Sequence, residues 1–269
     1  MKIILSLLLV TKYILTQTPV VIWPGLGSTL HSKKSIVSFK NMIEENIPGV
    51  YVHLIHIGHN RFEDSVKSIW SNINNEIEFV CEDLKLNSNL INGYNAIGFS
   101  QGSQFLRALA QRCSYPKMKN LISLGGQHQG FFVYMNIIQT NIVQASYWHD
   151  PLNEHDYKNY NLFLADINQE KKFNLNYKLN LMSLENLVLV KFDKDEVIYP
   201  RESQWFGFYA RNNLKKIYTM EESVLYVNDT LGLKTLDRMG RIHKISIPGQ
   251  HLQFSNSWFI ESILKPFLI

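Results

Sequence analysis

The five residues Gly98-Phe99-Ser100-Gln101-Gly102 constrain this chain more than any other stretch, because of what stands on either side of them. Residues 94–99 form a short run that reads as a strand, and residues 103–112 read as an amphipathic helix. A strand that enters a helix through one sharp turn leaves no room for a Cβ at the two outer positions, so both are glycine. The turn exposes the Ser100 hydroxyl at the end of the strand, with the positive end of the helix beneath it. Gly-x-Ser-x-Gly in this setting is a nucleophile elbow, and Ser100 is the expected nucleophile.

Strand and helix signals alternate along the chain. Residues 19–23, 50–57, 94–99, 121–124, 187–192 and 242–247 read as short apolar strands, and residues 34–46 and 63–84 carry apolar side chains at helical spacing. This alternation predicts an α/β fold: a mostly parallel sheet with helices on both faces and its chemistry beyond the C-terminal ends of the strands. A chain of 269 residues with 45% hydrophobic content can bury one large core. Residues 18–269 are therefore read as a single domain. The less regular segment 131–180, rich in Asn and Tyr, is read as an insertion lying over the C-terminal edge.

In folds of this kind the partners of the nucleophile follow it in the order acid, then His, on loops after later strands. The strand at 187–192 runs into Asp193-Lys194-Asp195-Glu196, and the strand at 242–247 runs into Pro248-Gly249-Gln250-His251. His251 would take the Ser100 proton and return it to the leaving group. Either Asp195 or Asp193 would hold its imidazole in the right tautomer, and loop reach does not separate the two. The oxyanion donors would be the backbone N–H groups of Gln101 and of Leu26, the latter flanked by Gly25 and Gly27 after the first strand. His243 sits inside a strand and reads as half-buried. His53, His56 and His59 are evenly spaced, yet on a strand His53 and His56 face opposite ways and cannot share an ion. Neither a metal nor a cofactor is expected.

The net charge of +4 comes from basic residues scattered along the chain, not gathered into a phosphate-tracking stripe, so no nucleic-acid partner is expected. Residues 1–17 read as a secretory signal peptide: Met1-Lys2, an apolar stretch over 3–10, then polar residues at Thr16-Gln17-Thr18. That apolar core is too short to span a bilayer, and no integral membrane span is expected. Cys81 and Cys113 each fall near the end of a predicted helix and read either as a disulfide or as two buried thiols. Asn228-Asp229-Thr230 is the one N-glycosylation sequon.

Longer strings go beyond this general pattern. Asn92-Gly93-Tyr94-Asn95-Ala96-Ile97, Gln104-Phe105-Leu106-Arg107-Ala108, Gly125-Gly126-Gln127-His128-Gln129-Gly130, Tyr147-Trp148-His149-Asp150-Pro151, Phe163-Leu164-Ala165-Asp166-Ile167-Asn168 and Gln204-Trp205-Phe206-Gly207-Phe208-Tyr209 resemble the palmitoyl-protein thioesterase family. The resemblance runs from Pro19 to Leu268. It implies an α/β-hydrolase fold and a lysosomal or secreted serine hydrolase that removes long-chain fatty acyl groups from cysteine thioesters of proteins or peptides. Aligned through residues 205–209, it implies Asp195 as the acid beside Ser100 and His251, and Leu26 and Gln101 as the oxyanion donors. It further implies Gln127 and Val197 at the acyl pocket and a disulfide between Cys81 and Cys113. Pro24 departs from the family's His in the oxyanion loop, two further family disulfides have no cysteines here, and residues 131–145 are shorter than the family's helix-bearing segment. The resemblance therefore leaves the chain-length preference open. A lipase or carboxylesterase of the same fold would share the triad and differ in the pocket, whereas a non-catalytic lipid-binding protein would have no use for all three residues.

Overall fold

The computed structural model describes residues 17–25, 36–56, 72–132 and 146–269. The expected signal peptide but for its last residue, Leu26, His59, residues 63–71 of the expected second helix and residues 133–145 of the expected insertion lie outside the described residues. The strands are β1 (Val20–Trp23), β2 (Val52–Leu54), β3 (Tyr94–Phe99), β4 (Met118–Leu124), β5 (Asn186–Phe192), β6 (Phe208–Ala210), β7 (Asn213–Tyr218) and β8 (Ile242–Ile247). Six of them form one sheet in the order β2-β1-β3-β4-β5-β8, with every neighbouring pair parallel. The remaining two, β6 and β7, make a separate antiparallel hairpin that the sequence reading did not separate out.

Both faces of this sheet are covered, which is why its central strands read as continuous apolar runs instead of alternating patterns. Val21, Trp23, Ala96, Leu121, Leu187 and Leu189 project to one face, and Val20, Ile22, Ile97, Ile122, Val188 and Val190 to the other. The second face is closed by α1 (Ile36–Asn46), through Phe39 and Ile43, and by the C-terminal helix, through Phe259 and Ile263. The first face is closed by α2 (Ile73–Leu86) and α3 (Gln101–Arg112). Outside α3 lie α4 (Glu154–Tyr160), α5 (Leu164–Ile167) and α6 (Leu175–Met182), so that residues 101–111 of α3 are all buried. Among the described residues, no helix is long and apolar enough to cross a membrane.

The parallel order, with β1 flanked by β2 on one side and β3 on the other, puts the reversal of winding beside the elbow, where α/β sheets open a crevice. With the nucleophile turn between β3 and α3, this is the α/β-hydrolase arrangement. Cys81 and Cys113 are joined in a disulfide with a Cα–Cα distance of 6.0 Å. Cys113 caps α3 as the helix prediction suggested, but Cys81 lies inside α2, which runs on to Leu86.

Candidate active site

Steric crowding accounts for each glycine around Ser100. A Cβ on Gly98 would stand 2.3 Å from the Ser103 Cα, and one on Gly102 would stand 2.3 Å from the Trp23 carbonyl oxygen. The first close approach packs β3 against the start of α3; the second lays the loop after β1 across it. Gly25 belongs to the same loop, and a Cβ there would lie 3.3 Å from the Ser100 Cβ. Ser100 itself adopts φ 51° and ψ −117°, a conformation that a side-chain-bearing residue rarely holds and that costs on the order of 1–3 kcal/mol. The turn is held by Ser100 N–H donating to the Leu124 carbonyl at 2.8 Å and by the Ser103 hydroxyl donating to the Gly98 carbonyl at 2.6 Å.

Three strand ends supply three side chains. Ser100 follows β3, Asp195 follows β5 and His251 follows β8. His251 Nε2 lies 3.0 Å from Ser100 Oγ, and His251 Nδ1 lies 2.6 Å from Asp195 Oδ2. Between β3 and β5 stands β4, whose end must stay out of the way. Gly125 and Gly126 follow it, and a Cβ on Gly125, which has φ +67°, would stand 3.1 Å from His251 Cε1.

Asp195 is fully buried, and its charge is met by donors on both oxygens. Oδ1 accepts from the backbone N–H groups of Val197 at 2.8 Å and Ile198 at 2.9 Å. Oδ2 accepts from His251 and, at 3.0 Å, from the side-chain amide of Gln204. Asp193, the other acid left open by loop reach, instead pairs with Lys191 at 3.1 Å near the surface. The distinction rests on the turn: Asp195 N–H bonds back to the Phe192 carbonyl, which swings its side chain inward.

Gln101 is buried at the N-terminus of α3, next to Ser100, while its expected partner Leu26 lies outside the described residues. Gln127 is buried behind the elbow, where its carbonyl accepts from the Gln104 side chain at 2.6 Å. Val197 is 59% exposed, two positions beyond Asp195. Asn228 is exposed at the end of a short helix, α7 (Val224–Val227). His243 Nε2 donates to Asn186 Oδ1 from within β8, 2.7 Å away, and His53 pairs with Asp83 at 3.2 Å.

A buried polar layer beneath the site has no counterpart in the sequence reading. Gln104, Arg107 and Gln111 line one side of α3, a stripe that an amphipathic helix would ordinarily turn to water. Here the loop after β4 and the end of α5 cover it. Arg107 is fully buried and donates to the carbonyl of His128 at 3.0 Å and to Asn168 Oδ1 at 2.9 Å, with its guanidinium 5.3 Å from the centre of the Phe206 ring. Burial pushes this guanidinium down to about 9, which leaves it charged at neutral pH. Burial, reinforced by Arg107, holds the His128 imidazole well below its ordinary value, so that it is neutral. Further out, His149 is stacked between Tyr157 and Phe208 and joins the Gln129 carbonyl, at 3.0 Å, to Glu154, at 2.8 Å.

Known proteins resemble this chain over most of its length. The sequence pattern of the palmitoyl protein thioesterase family matches residues 19–251. Palmitoyl-protein thioesterase 1 of Caenorhabditis elegans is 44% identical over 94% of this chain and 92% of its own length. Palmitoyl-protein thioesterase 3 of Dictyostelium discoideum is 33% identical over 99% of this chain and 94% of its own. The human lysosomal thioesterase PPT2 is 27% identical over 93% and 87%. With the elbow, the strand order and these matches in agreement over most of its length, the chain belongs to the palmitoyl protein thioesterase family.

Proposed function

We propose that the protein is a serine thioesterase that removes long-chain fatty acyl groups, palmitate foremost, from cysteine side chains of proteins or peptides. The observation that carries this reading is the unbroken hydrogen-bonded chain from Ser100 Oγ through the His251 ring to Asp195, at 3.0 and 2.6 Å, in a member of this family. A carboxylate can only accept, so His251 Nδ1 carries the proton toward Asp195 and Nε2 offers its lone pair to the Ser100 hydroxyl.

Ser100 Oγ attacks the thioester carbonyl carbon while its proton passes to His251 Nε2. The oxyanion that forms is received by the N–H groups of Gln101 and Leu26. Breakdown of the tetrahedral intermediate expels the cysteine thiolate, which takes the proton from His251. Water then repeats the attack on the acyl-Ser100 ester with His251 again as base, and the fatty acid leaves. A thiolate departs readily, so the main demand on the protein is to hold a long apolar chain beside Ser100. We assign that chain to the side of the site bearing Val197 and Gln127, with the 131–180 insertion as its cover within a single domain spanning 18–269.

A disulfide between Cys81 and Cys113 supports an oxidising compartment, and lysosomal thioesterases stand among the relatives. On these grounds we propose a lysosomal or secreted location, reached through a signal peptide over residues 1–17, with glycosylation at Asn228. The test is hydrolysis of an S-palmitoyl peptide beside an oxygen ester of the same chain, with the parent and with Ser100→Ala. Thioester cleavage by the parent, lost in the variant, is expected. Robust cleavage of the oxygen ester alone would favour a lipase or carboxylesterase, and turnover that survives in Ser100→Ala would overturn the mechanism.

A further inference from the structure

Gln204 lies nine residues beyond Asp195 and is fully buried. Its side-chain oxygen accepts from the backbone N–H of Phe192, the last residue of β5, at 3.0 Å, and its amide nitrogen donates to Asp195 Oδ2 at 3.0 Å. The backbone fixes which way round the amide stands. A peptide N–H can only donate, so the oxygen must face Phe192, and the NH2 group is thereby turned to the carboxylate.

The turn that carries Gln204, Arg201–Trp205, is itself bolted in place from both sides. Trp205 Nε1 donates to the Leu189 carbonyl of β5 at 2.9 Å. Ser203 donates through its hydroxyl to the Gly130 carbonyl at 2.6 Å and accepts from Gln129 N–H at 3.1 Å, tying the turn to the loop that follows β4. Other charged groups nearby are engaged elsewhere: Lys191 with Asp193, and Arg201 with the Asp193 carbonyl. Among the described residues, the two side chains hydrogen-bonded to Asp195 are thus His251 and Gln204.

We propose that Gln204 is a positioning residue for the reaction: it holds the Asp195 carboxylate in the orientation that binds His251 and disperses its negative charge. The proposal rests on the serine thioesterase reading above. Sharing Oδ2 between two donors fixes the carboxylate plane, and with it the orientation of the His251 ring that turns Nε2 to Ser100.

Two substitutions test it, read as the pH profile of kcat/KM on an S-palmitoyl peptide. In Gln204→Glu the acceptor toward Phe192 remains, but a carboxylate oxygen replaces the donor facing Asp195. Ionised, that carboxylate adds a negative charge that stabilises the His251 imidazolium, and the ascending limb of the profile moves to higher pH by about one unit; where the two buried carboxyls share one proton the donor toward Asp195 is kept, and Gln204→Met is the deciding substitution. In Gln204→Met, which keeps the volume without the charge, the limb moves the same way by less and kcat falls roughly tenfold, the scale of one hydrogen bond to a charged group. KM stays near the parent's in both, since Gln204 does not face the substrate. Profiles that superimpose on the parent's after scaling would overturn the proposal, and if Gln204→Glu does not fold, Gln204→Met decides alone. Ser100→Ala in the same assay separates the two levels: its inactivity with unmoved limbs removes only Gln204's role, whereas its turnover would remove the reading on which that role rests.

Discussion

Two fully buried charges in this protein are held in opposite ways. The Asp195 carboxylate is surrounded by donors: two backbone N–H groups, the Gln204 amide and His251. The Arg107 guanidinium is surrounded by acceptors: the His128 carbonyl, the Asn168 side chain and the face of Phe206. Among the described residues no carboxylate forms an ion pair with Arg107. Both charges are thus carried mainly by neutral dipoles, which costs less than it would in an apolar interior. They differ in what lies on the far side. Asp195 faces His251, which is in turn hydrogen-bonded to Ser100, so in the proposed mechanism its charge is directed at chemistry. Arg107 faces the 125–130 loop and the insertion, so its charge joins parts of the fold. A buried charge is therefore not by itself a sign of a reactive group; the partner it is aimed at decides.

The sharpest test of that contrast lies at the carboxylate. In Asp195→Asn the amide group faces His251 and Gln204, the imidazole is pushed toward the other tautomer, and Nε2 can no longer accept from Ser100. We expect kcat to fall by about ten-thousand-fold in the folded variant, while Asp193→Asn, which only loses Lys191 at the surface, stays within about threefold of the parent. The reverse ranking would assign the acid to Asp193.

At the other charge the expected signs exchange. Arg107→Met removes the donors of the His128 carbonyl and Asn168, and a loss of about 3 kcal/mol in stability is expected from chemical denaturation. The rate per folded molecule should hold within about threefold at a permissive temperature. A rate that collapses while the fold survives would show that the two charges are coupled through the 125–130 loop, and the contrast would fail.

The smallest effect tests the outer tie of the insertion, His149 to Glu154. Burial pushes the Glu154 carboxyl up, but His149 and then Lys158 draw it down further, so it ends below its ordinary value. A carboxyl shifted that way contributes its stability in full above the unfolded-state value of about 4.3 and loses it as pH falls through the lower folded value. Glu154→Gln should therefore cost about 1 kcal/mol near neutral pH, with the gap from the parent closing in acid. A gap that widens in acid would contradict that direction.

Much of this was legible in the residues, for reasons that differ from element to element. The strands over 94–99 and 242–247 keep their predicted bounds, because a buried parallel strand leaves an apolar run that punctuation by Gly, Asn or Pro delimits. The strand before Gly125 begins earlier than expected, at Met118, since Lys119 and Asn120 interrupt the run without interrupting the ladder. The β6–β7 hairpin escaped notice, its second strand being almost wholly exposed and so carrying no apolar rhythm. Asp195 and Asp193 were equivalent by loop reach; the resemblance favoured Asp195, and only the turn closed by Phe192 separates them physically. Gln204 left no local signal at all, because its meaning depends on an acid and a strand end brought to it by the fold.

Local chemistry is written in the residues themselves: a glycine-flanked serine between a strand and a helix, an acid and a histidine after later strands, and the period of the runs that build the sheet. Which polar residues meet is set by the packed fold. The stripe of Gln104, Arg107 and Gln111 reads as a solvent face until the loop after β4 and the end of α5 are laid over it, and burial then turns its side-chain N–H groups to partners within the protein. Periodicity records which residues share a side of a helix, but what covers that side is settled by segments far away in the chain, and that is where the local pattern stops carrying information.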